Sequence, residues 1–196
     1  MTARRAAFTL LELMIVISII CILAGFLFAA GAMAQRAAKI NRSSATIHVL
    51  ATASDAYLAQ FRIYPYPNPG LLGTAFKVSP YFKNGAWTVD AYNVTLVWML
   101  SLPRSPEPYL DLNQKWFVKI PESITAPDGR TLYKCVDGFG NTIRVYQVSP
   151  SSGATAVTNT SNDLRLTSAG PDGQFGTSTT DLPARDDIEV YLHYDK

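Results

Sequence analysis

The chain has 196 residues, 48% of them hydrophobic, and a formal net charge of +2. This length suffices for one domain with its own core plus an N-terminal extension. The small charge, with no basic run longer than Arg4-Arg5, gives no electrostatic footprint for nucleic acid, and no nucleic-acid partner is expected. Cys21 lies in an apolar run and Cys135 in polar sequence, so we expect no disulfide and interpret both as packed thiols.

A long apolar run, FTLLELMIVISIICILAGFLFAAGAMA, extends from Phe8 to Ala34 and contains one charged residue, Glu12. It is long enough to cross a membrane as a helix, and we assign residues 8–34 to such a segment. Because the short segment before it is basic, the positive-inside rule keeps this end cytoplasmic and sends the chain after Gln35 across the membrane. A secretory signal cleaved near AAGAMA is the alternative, although the run is long for one.

The helix is predicted to continue beyond the apolar run without a turn. Its apolar residues recur near helical spacing on one face, and residues 35–62 are therefore predicted to form an amphipathic continuation. These positions are Ile40, Ile47, Leu50, Tyr57, Leu58 and Phe61. We predict one helix from about Phe8 to Phe61 that ends before Pro65.

Residues 63–196 are predicted to form a globular head. The Pro/Gly-rich segment at 64–73 marks its beginning. The apolar stretch AYNVTLVWMLSLP, residues 91–103, is either a short helix or a buried strand, and its periodicity does not decide between them. Residues 105–118 are interpreted as a loop and a partial strand.

Four later segments have the alternation and the β-branched or aromatic content of strands. They are residues 130–136, 141–148, 163–168 and 187–194. The turn between the first two is DGFGN, in which Gly138 and Gly140 supply a permissive backbone. We therefore predict an α+β fold, in which the long helix packs on a small antiparallel sheet.

The stretch AAFTLLELMIVISIICILAG resembles the class III signal of type IV pilins and type II secretion pseudopilins. In that family a short basic leader ends at a small residue, usually Gly, and is followed by Phe-Thr-Leu-Ile/Leu-Glu and an apolar helix. The resemblance implies a leader of residues 1–7, cleavage by prepilin peptidase between Ala7 and Phe8, and methylation of Phe8. Ala7 stands where the family usually has Gly.

The same resemblance implies a role for Glu12, the fifth residue of the processed chain. Its carboxylate would neutralise the new α-amine of Phe8 in a neighbouring subunit, and the pair would set the axial register of a fibre. The alternative is that Glu12 merely lies at the level of the lipid headgroups.

Two segments of the head resemble major pseudopilins as well. DGFGN is similar to their Asp-x-Trp/Phe-Gly-Asn segment, and SAGPDGQFGTSTTDLPARDDIEV, residues 168–190, is similar to their calcium loop. The implied calcium ligands are Asp172, Asp186 or Asp187, and the backbone carbonyl of Ala169. The intervening TSTTDLPAR is longer than the family pattern, and Asp181 is therefore a further candidate ligand. An ordinary polar turn closed by Asp side chains is the alternative.

No catalytic constellation accompanies these features, and we do not expect an enzyme. His48 and His193 are interpreted as surface or packing residues. The triplets at Asn93 and Asn159 fit a glycosylation pattern, but such short matches arise by chance.

The resemblance implies a pseudopilin of a type II secretion system. Such a subunit is anchored in the inner membrane with its head in the periplasm, and then assembles with other pseudopilins on an inner-membrane platform. A type IV pilus or competence pilin is the second hypothesis. A membrane-anchored periplasmic enzyme or binding module is the third.

Overall fold

The structure is a computed structural model that describes residues 10–78, 80–102, 108–121, 124–148, 163–175 and 187–192. The chain divides into two units, Met1–Ala38 and Lys39–Lys196, and one helix, α1 (Leu10–Phe61), extends through both. Several predictions fall outside the described residues. They concern the leader, the cleavage site at Ala7 and Phe8, Asp181, Asp186, Asn159 and His193.

Of the first unit, the structure describes the N-terminal part of α1. Its side chains are exposed almost throughout, and the exposed large residues include Leu10, Ile17, Phe26 and Phe28. A helix that is apolar on all sides does not pack one face on a core but requires an apolar environment around it. This part of α1 is long and apolar enough to cross a membrane.

The second half of α1 buries a set of its side chains. Its buried residues are Ser43, Thr46, Ile47, Leu50, Ala51, Ala53, Ser54 and Tyr57. The buried hydroxyls are satisfied within the helix, because Ser43, Thr46 and Ser54 each donate to the carbonyl four residues earlier at 2.8 to 3.0 Å. Ile40 and Phe61, expected on the same face, are 38% and 37% exposed.

The predicted end of the helix is confirmed. Arg62 follows α1 in the left-handed region, with φ at 61°, and its N–H still reaches the Leu58 carbonyl at 2.7 Å. Pro65 comes shortly afterwards and cannot continue a helix.

Residues 91–101 of the apolar stretch lie in a helix, α2 (Val89–Ser101), which resolves the choice that its periodicity left open. Leu102 leaves the helix with an extended backbone, as the residue before a proline prefers. The buried residues of α2 include Val94, Leu96, Val97 and Leu100.

Seven short strands, all paired antiparallel, form three small sheets within the described residues. The strands are β1 (Phe82–Lys83), β2 (Ala86–Trp87), β3 (Phe117–Lys119), β4 (Tyr133–Cys135), β5 (Arg144–Val148), β6 (Asp163–Ser168) and β7 (Ile188–Leu192). Their order is β1-β2, β3-β4 and β5-β6-β7. The α+β class is thus confirmed.

The four strands predicted from the sequence are present as β4 to β7, but they do not form one sheet. β4 pairs with β3 instead, and across the DGFGN turn β4 and β5 are joined only by the isolated bridge Val136↔Thr142. The β1-β2 hairpin was not predicted. Its turn residues Asn84 and Gly85 have φ of 52° and 79°, which suits the Asn-Gly turn of a two-residue hairpin.

The main core of the second unit lies between α1, α2 and the strands β3 to β7. It includes Ile47, Leu50, Tyr57, Leu96, Leu100, Phe117, Cys135, Val145, Leu164, Leu166 and Leu192. The inward residues of β5 and β6 therefore pack on the two helices, and the outward residues face away from this core.

A buried amide, that of Asn93 on α2, joins the helix to both sides of the DGFGN turn. Its Nδ2 donates to the Ile143 carbonyl at 2.8 Å, and its Oδ1 accepts from the Cys135 N–H at 2.7 Å. Because Asn93 is fully buried with both ends of its amide engaged, the triplet in which it lies is not a glycosylation site. Asn93 replaces the strand pairing that β4 and β5 do not make.

We predict that Asn93→Ala lowers the free energy of unfolding by about 2 to 4 kcal/mol, because it leaves a buried N–H and a buried carbonyl without partners. Asn113→Ala is the matched control, since the Asn113 side chain is exposed and bonds only to the neighbouring Asp111. Urea unfolding of the purified protein in detergent, followed by tryptophan fluorescence, measures both. Equal effects of the two variants would contradict the assigned role of Asn93.

Candidate functional site

Glu12 is exposed in the first turn of α1 and is the only charged residue between Leu10 and Ala34. The partial positive charge at a helix N-terminus favours a carboxylate in this turn. An ionised group within an otherwise apolar surface is costly once that surface enters lipid or a helix bundle, unless an opposite charge meets it. The arrangement suits the predicted register role, which stays a prediction.

The DGFGN turn is built around the carboxylate of Asp137, which is 1% exposed. Oδ1 of Asp137 accepts from the N–H groups of Phe139 and Asn141 at 2.9 and 2.8 Å. Its own N–H donates to the Asn141 carbonyl at 2.9 Å, and Gly140 adopts φ of 94°, which favours glycine. The turn is therefore closed by its own first residue.

The second oxygen of Asp137 fastens this turn to the end of β6. Oδ2 accepts from the Ser168 hydroxyl at 2.7 Å. Beside it, Asn141 Nδ2 donates to the Gly170 carbonyl at 3.1 Å. These bonds connect the turn to the beginning of the segment between β6 and β7, residues 169–187, which we call the Asp loop.

The same turn docks on α1. The Gly138 N–H donates to the Ser43 hydroxyl at 2.9 Å, and that hydroxyl donates to the Lys39 carbonyl at 3.0 Å. A Cβ added at Gly138 would come within 2.8 Å of the carbonyl carbon of Lys39, so only glycine allows this approach. The Lys39 ammonium lies 5.8 Å from the centre of the Phe139 ring. The five residues of the turn thus connect α1 to the Asp loop.

Three of the implied calcium ligands lie among the described residues. Ala169 is buried, and Asp172 is exposed at the end of a 3-10 turn, Gly170–Asp172, where its Oδ1 accepts from the Gln174 N–H at 2.8 Å. Asp187 is half-buried just before β7. The bond at Asp172 is the one expected of a polar Asp turn.

The described residues contain no group of three or more His, Cys, Asp or Glu that could hold a metal ion. Asp172 and Asp187 therefore do not form a cation site by themselves. Because Asp181 and Asp186 lie outside the described residues, calcium binding stays a prediction.

Cys135 is fully buried in the main core, as expected of a packed thiol. Burial raises the pKa of the thiol, and the nearby Asp137 carboxylate raises it further. The reactive thiolate is therefore suppressed in the folded protein. His48 is exposed on α1, also as expected.

Comparison with known proteins identifies a motif at the N-terminus of the chain. Residues 2–28 match the prokaryotic N-terminal methylation motif. No curated protein and no solved structure matches the chain. The motif indicates a type IV pilin-like protein whose signal is processed by prepilin peptidase, and it implies assembly with pilin-like subunits. Together with the apolar helix, it indicates membrane anchoring and a structural subunit rather than an enzyme.

Sequence reasoning identified the N-terminal signal and the glycines of the turn, but not the role of Asp137. The local signal was present in the DGFGN spacing, since an Asp whose side chain bonds the N–H two residues later is common in turns. Its partner Ser168 is 31 residues away, and nothing local in the sequence indicated that bond.

We predict that Asp137→Ala lowers the free energy of unfolding by about 3 kcal/mol, because buried N–H groups and the Ser168 hydroxyl lose a charged acceptor. Asp128→Ala is the matched control, because Asp128 accepts from the N–H of Arg130 in a similar turn that is exposed. Urea unfolding in detergent measures both variants. A loss at Asp137 no larger than that at Asp128 would contradict the role of the buried carboxylate.

Proposed function

We propose that the protein is a pseudopilin subunit of a type II secretion system, processed by prepilin peptidase and assembled into a short periplasmic fibre. The observation that carries the proposal is the N-terminal methylation motif at residues 2–28, continued by an exposed apolar helix with a single carboxylate. In this proposal the N-terminus is cytoplasmic, the second unit is periplasmic, and an inner-membrane platform and other pseudopilins are the partners.

The physical argument for assembly concerns the apolar surface of the first unit. The large exposed residues of α1 between Leu10 and Met33 form a surface that a monomer in water cannot maintain. Lipid covers it before assembly, and the helices of neighbouring subunits cover it afterwards. Because these two environments are about equally apolar, transfer between them requires little free energy from the hydrophobic effect itself.

Glu12 supplies what the apolar surface lacks, namely a preferred axial position. Apolar helices packed side by side can slide without a large change in buried area. A carboxylate near one end, paired with the α-amine of a processed neighbour, is compensated in only one register.

The DGFGN turn supports the secretion branch of the proposal. It resembles the corresponding segment of major pseudopilins. Each of its five residues makes a hydrogen bond or adopts a backbone position that the turn requires, and the ring of Phe139 is the part that does neither. The turn thereby gives the resemblance a structural basis in this chain. A type IV pilus or competence pilin is the second candidate, favoured by the same N-terminal motif.

We predict that coexpression with an active prepilin peptidase removes residues 1–7 and leaves a methylated Phe8. Glu12→Ala should be processed but should not assemble, because the α-amine then has no partner in the apolar fibre core. The measurements are the intact mass of the N-terminus and the yield of sedimentable fibres in a reconstituted system.

Ser18→Ala is the matched control for Glu12→Ala. Ser18 is an exposed polar residue of the same helix, and its hydroxyl donates only to the Ile15 carbonyl at 2.7 Å. It should assemble as the wild type does. An uncleaved N-terminus, or cleavage near Ala34, would contradict the proposed class, whereas normal fibres of Glu12→Ala would contradict only the register role.

A second prediction separates secretion from pilus function. Deletion of the gene in the cell of origin should cause secreted proteins to accumulate in the periplasm while surface pili remain. Complementation with the wild type should restore export, and complementation with Glu12→Ala should not. Loss of surface pili or of DNA uptake with normal export would instead assign the protein to a pilus. Normal export and normal pili would favour a tethered enzyme or binding module.

A further inference from the structure

Three exposed basic residues of the second unit lie close to one another. Lys39 and Arg42 are three residues apart on α1 and therefore neighbours on its surface, and Lys115 lies just before β3. The guanidinium of Arg42 donates to the Lys115 carbonyl at 3.2 Å, although 73 positions separate the two residues in the chain. We call Lys39, Arg42 and Lys115 the basic surface.

The DGFGN turn connects the two parts of the fold that supply the basic surface. On one side, the N–H of Gly138 donates to the Ser43 hydroxyl of α1 at 2.9 Å. On the other side, the residue before the turn, Val136, donates its N–H to the Trp116 carbonyl at 2.9 Å, directly after Lys115. The cations are therefore held near each other by hydrogen bonds of the backbone around the turn.

Within the described residues, the basic surface takes part in no ion pair. The ion pairs there involve other cations, namely Arg130, Lys134 and Arg165. Of the carboxylates in the neighbouring segments, that of Asp137 is 1% exposed and bonded within the turn. That of Asp111 accepts from a backbone N–H two residues later. The basic surface therefore presents positive charge to its surroundings.

The basic surface follows closely on the apolar run in the chain. Ala34 ends the run, and Lys39 comes five residues later in the same helix, about 8 Å along its axis. The headgroup layer on each side of a hydrocarbon core is about 5 to 8 Å thick, and long basic side chains extend their charged ends into it. A protein anchored by this run thus has Lys39 within reach of the headgroups.

We propose that the basic surface is a docking surface for anionic phospholipid headgroups. The three cations bind the headgroup phosphates, and the half-exposed ring of Phe139, 5.8 Å from the Lys39 ammonium, lies at the boundary of the headgroup layer. The proposal rests on membrane anchoring and not on the assignment to secretion. In the proposed function, this contact holds the second unit on the membrane until the subunit assembles.

Lysine footprinting of the full-length protein in nanodiscs tests the proposal. A single copy is placed in each disc, made of phosphatidylcholine alone or of phosphatidylcholine with phosphatidylglycerol. Acetylation by an N-hydroxysuccinimide ester is followed for each lysine by mass spectrometry. Lys77 is the matched control, because it is exposed and lies 5.6 Å from the centre of the Phe82 ring, much as Lys39 lies near Phe139.

We expect phosphatidylglycerol to slow the acetylation of Lys39 and Lys115 about fivefold, the factor that one cation near an anionic membrane contributes to binding. The rate at Lys77 should stay unchanged. Added NaCl should remove the difference, because salt screens charges at the surface. Lys115 is the decisive residue, because it does not lie on α1 and reaches lipid only if the basic surface as a whole does.

Arg42→Gln removes a charge between the two lysines and should weaken the effect of phosphatidylglycerol at both. Arg42→Lys should retain the effect, since an ammonium also binds phosphate as a point charge. Arg130→Gln removes an exposed arginine that pairs with Asp128 and should behave as the wild type. Should Arg42→Gln fail to fold, Lys39→Gln, measured at Lys115, replaces it.

Several results would overturn the proposal. Equal acetylation of Lys115 in the two kinds of disc would leave only the helix at the interface. An effect at Lys77 as large as that at Lys115, or one undiminished in Arg42→Gln, would mean that the basic surface is not responsible.

Protection that appears only when several copies share a disc would make a second copy of the chain the partner instead of lipid. Failure of the protein to enter the discs would contradict membrane anchoring and this proposal with it. Normal export after deletion of the gene would contradict the secretion assignment alone.

Discussion

The buried carboxylate of Asp137 is the interaction on which the described arrangement of the second unit depends. An ionised carboxylate taken out of water costs several kcal/mol unless charge-assisted hydrogen bonds compensate it, and here two N–H groups and a hydroxyl do so. Those donors come from the DGFGN turn and from Ser168 at the end of β6. Because Gly138 of the same turn bonds to Ser43, the position of the carboxylate also fixes how the turn meets α1.

This arrangement explains why the sheets can remain small and separate. β4 and β5 share a single bridge across the turn, and an isolated two-stranded sheet such as β3-β4 is marginal without further packing. Asn93 supplies that junction from α2 by bonding to Cys135 and Ile143 on either side of the turn. The turn is therefore held by the Asp137 carboxylate within it and by the Asn93 amide on α2. β4 leads into the turn and β5 follows it.

The sequence predicts those parts of this fold that local signals determine. α1 could be predicted to its last turn because its apolar run and its amphipathic continuation have no break, and the positions of β4 to β7 could be predicted from β-branched and aromatic residues. The choice between helix and strand for α2 could not be made, since an element buried on several sides loses its periodicity. The pairing of β4 with β3 could not be predicted either, because pairing depends on contacts between distant segments.

The residues of the candidate site also differ in how far local sequence signals identify them. Glu12 is conspicuous in the sequence because one charge in an apolar run is a local anomaly, whereas its register role is implied by the resemblance and stays a prediction. The Asp loop is different, because acidic residues in a Gly-rich segment are compatible with a cation site, with self-capped turns, and with an arginine partner from another strand. Asp172 takes the second of these states here. The contact of Arg144 with Phe175 at the beginning of the loop depends on segments that are distant in the sequence.

Different physical interactions dominate the two units. The exposed helix of the first unit offers apolar area, which is non-directional and scales only with the surface removed from water or lipid, so it can drive association but cannot orient it. The second unit is held by short, directional bonds among buried polar groups, which tolerate few alternative geometries. In the proposed function the subunit lies first in a membrane and then in an ordered fibre, and the apolar helix is compatible with either environment. In that proposal Glu12, and not the apolar area, sets the register between neighbouring copies.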